Sequence, residues 1–291
     1  MNCNLCPRKC NTDRNIKKGY CNTSMEIVAS RASLHMWEEP CISGTNGSGT
    51  VFFCGCNLKC VYCQNKEISL NKTGKKITVD RLAEIFLELQ AKGAHNINLV
   101  TPTHFALQII DAVKIAKKKG LVLPVVYNCG GYESIETLKA LENTVDVYLT
   151  DFKYYYSALG KKYSGAEDYP FVAKAALDEM VKQKELVLGD DGMLTKGVLV
   201  RHLVLPNYPQ NSRQILKYLY ENFGDRILLS IMNQFTPIDL SNYPEINRTV
   251  TKEEYDDIIS YAISIGIDNA YIQEGETAKE SFIPDFNNFG I

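Results

Sequence analysis

Short apolar runs alternate with amphipathic stretches along most of this 291-residue chain, and this alternation is its strongest constraint on folding. Residues 78–92 give the clearest helix, because apolar side chains recur there at positions i, i+3, i+4 and i+7. Six strands, each followed by a helix, are predicted at residues 51–54, 97–101, 123–128, 145–150, 198–205 and 227–232. A seventh strand is expected at 270–273.

Regular alternation of strand and helix predicts a parallel sheet. Six such units are too few for the closed eight-fold barrel, which typically needs ~250 residues. The pattern therefore predicts an α/β fold with an open, partial (βα)6 TIM-like barrel. A flat, doubly wound sheet is the alternative that the same pattern allows.

The charges of the chain are balanced, with 32 basic and 34 acidic residues and a net charge of −2. No basic stripe and no polybasic amphipathic segment is present, so we expect neither a nucleic-acid partner nor a membrane partner. No apolar run reaches the ~18 residues of a membrane span, and the N-terminus lacks a signal peptide's apolar core. We therefore expect a cytoplasmic protein.

The cysteines are crowded toward the N-terminus: nine of the ten fall in the first 63 residues. In a reducing cytoplasm, cysteines at such density are metal ligands more often than disulfides. The crowding predicts a small cysteine-rich, metal-binding module with a loop leading into the barrel at 1–45. The barrel follows at 46–275, and an irregular tail at 276–291.

Three cysteines in the spacing C-x3-C-x2-C lie directly after the first predicted strand, at Cys56, Cys60 and Cys63. A 4Fe-4S cluster normally takes four thiolates, so three ligands leave one iron open to bind something else. The alternative is a structural zinc site, which needs four ligands. The nearest fourth candidate is Cys54, and a C-x-C pair of that kind is uncommon in zinc ribbons.

With Tyr62 just before its last cysteine, this loop resembles the cluster loop of the radical S-adenosylmethionine (SAM) enzymes. The resemblance implies that the open iron binds the amino and carboxylate groups of SAM, and that Tyr62 contacts the cofactor. It also implies that one electron splits SAM and releases a 5′-deoxyadenosyl radical.

Polar side chains cluster at the predicted carboxyl ends of the strands, where barrel enzymes place their chemistry. They are Thr101 to His104, Asn128, Asp151, Lys153, Arg201, His202, Asn233 and Gln234. Any single one fits a cap or turn position, but packing alone does not explain polar groups at one end of consecutive strands.

The order from the cluster loop through Asp-x-Lys to an arginine on the fifth strand resembles the activating enzymes of glycyl radical enzymes, such as the pyruvate formate-lyase activase. Glu38-Glu39-Pro40 and the segment 201–206 further resemble an uncharacterised, activase-like branch. The resemblance implies that Asp151 and Lys153 contact SAM and, in some members, a bound cation. Surface ion pairing is the alternative role for such charged side chains.

Three further contacts follow from the same resemblance. Arg201 matches a basic residue that pairs with the SAM carboxylate, for which guanidinium geometry is suited. Asn128 stands where a family carboxylate helps to hold the cation, and its amide argues against a cation here. The family's Gly-Gly-Glu is replaced by Thr101-Pro102-Thr103-His104, so Thr103 is either a SAM ligand or a helix cap, and capping the next helix is one role open to His104.

A second cysteine group, Cys3, Cys6, Cys10 and Cys21, has the spacing C-x2-C-x3-C-x10-C. Four ligands at short spacing close a zinc site or hold a second iron–sulfur cluster, and both alternatives stay open. Cys41 and Cys54 are interpreted as small buried thiols, with a ligand role left open for Cys41, which follows Pro40 in a loop.

The activase resemblance implies a glycyl radical enzyme as protein substrate and a flavodoxin- or ferredoxin-type reductant. Two alternatives remain: radical chemistry on a small molecule or another peptide, and a non-catalytic, cysteine-rich metal-binding or electron-carrying protein. The second leaves Asp151, Lys153 and Arg201 without a role.

Overall fold

The computed structural model of the chain describes residues 3–273 and 284–291. Within these residues, ten strands belong to the sheet. In chain order they are β1 (Ile27–His35), β2 (Ser48–Phe53), β3 (Lys75–Ile77), β4 (Ile97–Val100), β5 (Val125–Cys129), β6 (Val147–Asp151), β7 (Val187–Leu188), β8 (Leu194–Leu203), β9 (Leu228–Met232) and β10 (Tyr271–Ile272).

Nine α-helices accompany the strands in the same described residues. They are α1 (Pro40–Ser43), α2 (Lys66–Ser69), α3 (Val79–Ala91), α4 (Ala106–Lys118), α5 (Ile135–Leu141), α6 (Ser157–Ser164), α7 (Tyr169–Gln183), α8 (Pro209–Phe223) and α9 (Lys252–Ser264). None of the helices in this part of the chain combines the length and the apolar character that crossing a membrane requires.

Seven strands, β2, β4, β5, β6, β8, β9 and β10, run parallel and lie side by side in chain order. A doubly wound sheet reverses its strand order at a switch point, and this sheet does not. The predicted α/β fold with a parallel, partial barrel is therefore confirmed, and the expected seventh strand is present as β10.

The sequence-based prediction missed the antiparallel edge formed by β1 and β3. β1 pairs with β2 so that His35 lies opposite Ser48, which places the end of β1 at the amino end of the barrel. Helix α1 follows there, and its Ile42 is buried against Val126 and Leu199. The segment after β1 thus closes the bottom of the barrel, and the boundary predicted at residue 45 leaves a strand of the main sheet in the N-terminal module.

The described part of the C-terminal tail, residues 284–291, lies along β1. The backbone N–H of Asn288 donates to the carbonyl of Ser30, and the Ala32 N–H donates to the carbonyl of Phe289, both at 2.8 Å. The Phe286 ring packs against Phe52 with a centroid separation of 5.5 Å. The tail therefore covers an edge of β1 that β3 leaves open; residues 276–283 of the predicted tail lie outside the described residues.

Candidate active site

The three cysteines of the C-x3-C-x2-C loop line one cavity of about 380 Å³ at the carboxyl ends of the strands. Buried Leu58 anchors the loop, and Lys59 takes a left-handed conformation with φ of 54°. The Cys56 sulfur accepts the Leu58 N–H at 3.3 Å, and the Cys60 sulfur accepts the hydroxyl of Ser164 at 3.0 Å. The loop thus presents its thiols to one space, and two of them accept hydrogen bonds, one from the loop backbone and one from the end of α6.

Three thiols are the ligand set of a 4Fe-4S cluster with one open iron, whereas a structural zinc ion takes four ligands. No three Cys, His, Asp or Glu side chains in the described residues converge on a point that one ion would occupy. In a 4Fe-4S cluster each thiolate binds a different iron, so the sulfurs surround a larger volume. Burial raises the pKa of the Cys63 thiol to about 12, so the positive charge of bound iron is what would keep it ionised.

A buried network of charges centred on Arg201 lies in the same cavity. The Arg201 Nε donates to Asp151 Oδ1 at 3.0 Å, and its Nη1 donates to Glu38 Oε2 at 2.9 Å. Its Nη2 donates to Asn128 Oδ1 at 2.7 Å. Lys153 Nζ donates to the second oxygen of Asp151 at 2.5 Å. The register of the sheet produces this meeting, since Asp151 at the end of β6 pairs with Arg201 on β8.

Within this network, Asp151 and Lys153 both stay charged. Burial alone would raise the pKa of Asp151, but the positive charges of Lys153 and Arg201 outweigh it and hold that pKa below its ordinary value. Burial likewise opposes the charge of Lys153, but the carboxylate of Asp151 raises the pKa of Lys153 above its ordinary value. A carboxylate and an ammonium group therefore stand beside the thiols at neutral pH.

Glu38 and Glu39 both line the cavity, although the sequence alone does not predict them as site residues. They immediately precede α1 at the amino end of the barrel, and from there their side chains extend into the cavity. Asn98 and Asn128 donate their side-chain amides to Glu38 Oε1 at 3.0 and 3.2 Å. Burial raises the pKa of Glu39, whose Oε2 has no hydrogen-bond partner within the described residues. The only signal in the sequence is the acidic pair before Pro40.

The residues that replace the family's Gly-Gly-Glu do not act as helix caps. Thr103 lies in a 3-10 turn before α4 and donates its hydroxyl to Glu133 Oε1 at 2.8 Å. The Nε2 of His104 bonds the carbonyl of Cys54 at 2.8 Å, next to the cluster loop. The N-cap of α4 is Phe105, without a side-chain hydrogen bond. His104 therefore does not cap this helix, because its ring turns back to the loop.

Tyr62 lies in the wall of the cavity, with its hydroxyl directed away into the protein. The side chain is 6% exposed, and its hydroxyl is 2.6 Å from that of Tyr154. Its ring contacts Phe235, Tyr154 and Tyr163. The Tyr62 hydroxyl is therefore engaged inside the protein and does not face the cavity.

The N-terminal cysteine module packs directly against the cluster loop. The Cys56 N–H donates to the carbonyl of Cys21 at 3.3 Å, and the Arg8 Nε donates to the carbonyl of Asn57 at 2.8 Å. Burial raises the pKa of Cys6 to about 12, with nearby Cys21 and Cys3 as smaller contributors. The zinc or second cluster proposed for Cys3, Cys6, Cys10 and Cys21 stays a prediction.

Cys41 and Cys54 are both buried. The Cys54 thiol donates to the carbonyl of Thr73 at 3.0 Å, while Cys41 packs in the apolar cluster at the bottom of the barrel. Cys54 does not line the cavity that holds the other loop thiols.

Glu133, which lies behind Thr103, is expected to make stability pH-dependent. Burial raises its pKa to about 8, so between pH ~4.5 and ~8 the folded chain holds a proton that the unfolded chain has released. Stability should fall as pH rises through this window, by up to ~1.4 kcal/mol per pH unit. Glu133→Gln stays neutral, so urea denaturation at about pH 5 and pH 7.5 should show a smaller fall. Equal falls in both proteins would contradict the shifted pKa.

Comparisons with known proteins agree with this geometry. The sequence model of the radical SAM superfamily matches residues 50–181. An uncharacterized protein of Methanocaldococcus jannaschii is 31% identical over 281 residues, covering 93% of this chain and 77% of the relative. The pyruvate formate-lyase-activating enzyme of Clostridium pasteurianum is 27% identical over 189 residues, covering 60% of this chain and 69% of that enzyme.

Among solved structures, SuiB of Streptococcus suis bound to S-adenosylmethionine superimposes with a TM-score of 0.50 at 13% identity. The match covers 76% of this chain and 48% of SuiB, so this chain spans about half of that protein. At this identity the similarity establishes a shared fold.

Proposed function

Because this chain belongs to the radical SAM superfamily, we propose that it cleaves SAM reductively at a 4Fe-4S cluster held by Cys56, Cys60 and Cys63. When bound, the cluster supplies the electron that splits SAM into methionine and a 5′-deoxyadenosyl radical, which abstracts a hydrogen atom from a substrate. The observation that carries the proposal is the meeting of three thiols and a charged network in one cavity.

The charged network supplies binding groups for SAM. The Lys153 ammonium group donates one hydrogen bond to Asp151. Its two other N–H groups are available to a carboxylate such as that of SAM. Asp151 stays ionised and accepts hydrogen bonds from an ammonium or a ribose hydroxyl. Glu38 and Asn128 hold the Arg201 guanidinium in place, so that this charge is oriented before SAM arrives.

The direct test is SAM cleavage by the purified chain. The protein is reconstituted with iron and sulfide without oxygen, reduced with dithionite and mixed with SAM, and 5′-deoxyadenosine is measured by chromatography. We expect 5′-deoxyadenosine that depends on both iron and dithionite. A fully reduced cluster that gives no product, with or without candidate substrates, would contradict the proposal and favour a metal-binding or electron-carrying role.

For the hydrogen donor, we propose a backbone glycine of a partner protein, with a flavodoxin- or ferredoxin-type protein as reductant. The support is the similarity to the activating enzyme of Clostridium pasteurianum. Pyruvate formate-lyase is the available probe: incubation with SAM and the reduced chain should give a glycyl radical, detected by electron paramagnetic resonance. A radical absent here, but present with an authentic activating enzyme, would reject that partner.

A small-molecule substrate is the second candidate. The cavity of about 380 Å³ falls in the ~300–1,000 Å³ range of small-molecule sites. Deuterium transfer from a labelled metabolite pool into 5′-deoxyadenosine, without any protein partner, would favour this candidate over the glycine.

A further inference from the structure

A chain of buried hydroxyl groups ends on the sulfur of Cys60. The Tyr62 hydroxyl lies 2.6 Å from that of Tyr154, which lies 2.8 Å from Ser164 Oγ. Ser164 Oγ in turn lies 3.0 Å from Cys60 Sγ. The three hydroxyl-bearing residues are 6%, 0% and 4% exposed, in the order Tyr62, Tyr154 and Ser164, so water does not compete for these bonds.

The donor and the acceptor in each of these hydrogen bonds follow from the last bond, which Ser164 makes to the Cys60 sulfur. A thiolate bound to iron accepts hydrogen bonds and donates none. Ser164 must therefore donate to Cys60, which leaves the Ser164 oxygen to accept from Tyr154. Tyr154 then accepts from Tyr62. Aligned hydrogen bonds of this kind polarise one another, so the donor that reaches the sulfur is strengthened by the two behind it.

The N-terminal module holds Ser164, the last hydroxyl group in this hydrogen-bonded series, against the cluster loop. Ser164 is the last residue of α6, and its backbone carbonyl accepts Arg8 Nη2 at 2.8 Å. The same guanidinium donates to the carbonyls of Gly165, at 2.5 Å, and Asn57, at 2.8 Å. Asn57 lies within the loop itself, so Arg8 clamps Ser164 and the loop to a common position.

We propose that Ser164, supported by Tyr154 and Tyr62, is a positioning residue that raises the reduction potential of the cluster bound at Cys60. Reduction adds one electron, from the external reductant, to the cluster and its thiolates, and no proton moves along the chain. A hydrogen-bond donor stabilises the more negative, reduced state more than the oxidised state, and donors to cluster sulfurs set such potentials. This inference rests on the proposed function, because it requires the cluster.

The test is a reductive titration of the reconstituted protein without SAM, followed by electron paramagnetic resonance. Ser164→Ala removes the direct donor and should make reduction about tenfold less favourable, a shift of ~59 mV to more negative potential for one electron. Tyr154→Phe keeps the Ser164 donor but removes the hydroxyl that polarises it, so we expect a smaller shift of the reduction potential in the same direction. Tyr62→Phe should shift the potential least, and Ser164→Thr, which keeps the hydroxyl, should restore it.

Tyr208→Phe is the matched control. The Tyr208 hydroxyl bonds that of Tyr163 at 2.8 Å, in the same aromatic region, but does not belong to the chain that reaches Cys60. The reduction potential of the cluster in the Tyr208→Phe variant should equal that in the wild type.

The outcomes separate this inference from the proposed function. Equal potentials in the wild type, Ser164→Ala and Tyr154→Phe, each with a full cluster, would overturn the inference alone. A shift of the same size in Tyr208→Phe would also overturn it, since general loosening would then explain the change. Failure of the wild-type chain to assemble any cluster would overturn both.

Discussion

Replacing Cys60 with alanine is expected to abolish formation of 5′-deoxyadenosine. Cys60 is the middle ligand of three in the proposed cluster site, and the three-ligand set has no spare member in the cavity-lining loop. Losing a residue that hydrogen-bonds a metal ligand typically costs ~10–100-fold in affinity or activity, and losing the ligand itself should cost more. The measurement is 5′-deoxyadenosine per chain under reducing conditions, with iron counted in the same sample.

Cys54→Ala is the matched control, because Cys54 is a buried cysteine two residues before the loop whose thiol bonds the Thr73 carbonyl. It should keep its iron and at least most of its activity. Cleavage retained by a folded Cys60→Ala variant would remove this cysteine from the cluster. Equal loss in both variants would mean that the strand end, and not ligation, was disturbed.

The fold was largely predictable from the sequence, for a physical reason. The apolar residues of a helix such as α3 repeat with a helical period that can be recognised within the segment itself. Thr78 also caps α3 by accepting the Arg81 N–H, as its position in the sequence suggests. Strand β1 lies in the segment that the crowded cysteines assign to a separate module, and β3 has only three residues, so the alternation of strand and helix does not identify them. Their place at the sheet edge depends on antiparallel pairing with distant residues.

The candidate site is predictable from the sequence only where its residues lie at or near the carboxyl end of a barrel strand. Asp151, Lys153 and Arg201 were selected because parallel strands bring their carboxyl ends together. Glu38 reaches Arg201 from 163 residues away, through a segment that returns beneath the barrel. Ser164 reaches Cys60 from the end of α6, a helix that was not predicted. Contacts of this kind depend on tertiary packing, which no local pattern records.

Replacing Arg201 with methionine is expected to destabilise the folded chain by ~3–5 kcal/mol, because it leaves the Glu38 carboxylate without its cationic partner and Asp151 with Lys153 alone. The Arg201 side chain is 16% exposed, Glu38 9% and Asp151 17%, so water compensates little. The measurement is the free energy of unfolding by urea. Arg81→Met, which breaks a half-exposed ion pair with Glu88, is the control and should cost ~0–1 kcal/mol.

A further variant separates lost charge pairing from lost packing. If unpaired charge causes the loss, adding Glu38→Gln to Arg201→Met should recover part of the stability, since a neutral amide replaces a buried carboxylate. Lower pH should also narrow the gap to the wild type, because unpaired buried carboxylates take up protons more readily than paired ones. A double variant no more stable than Arg201→Met, with a gap that is constant from pH 7 to pH 5, would assign the loss to packing instead.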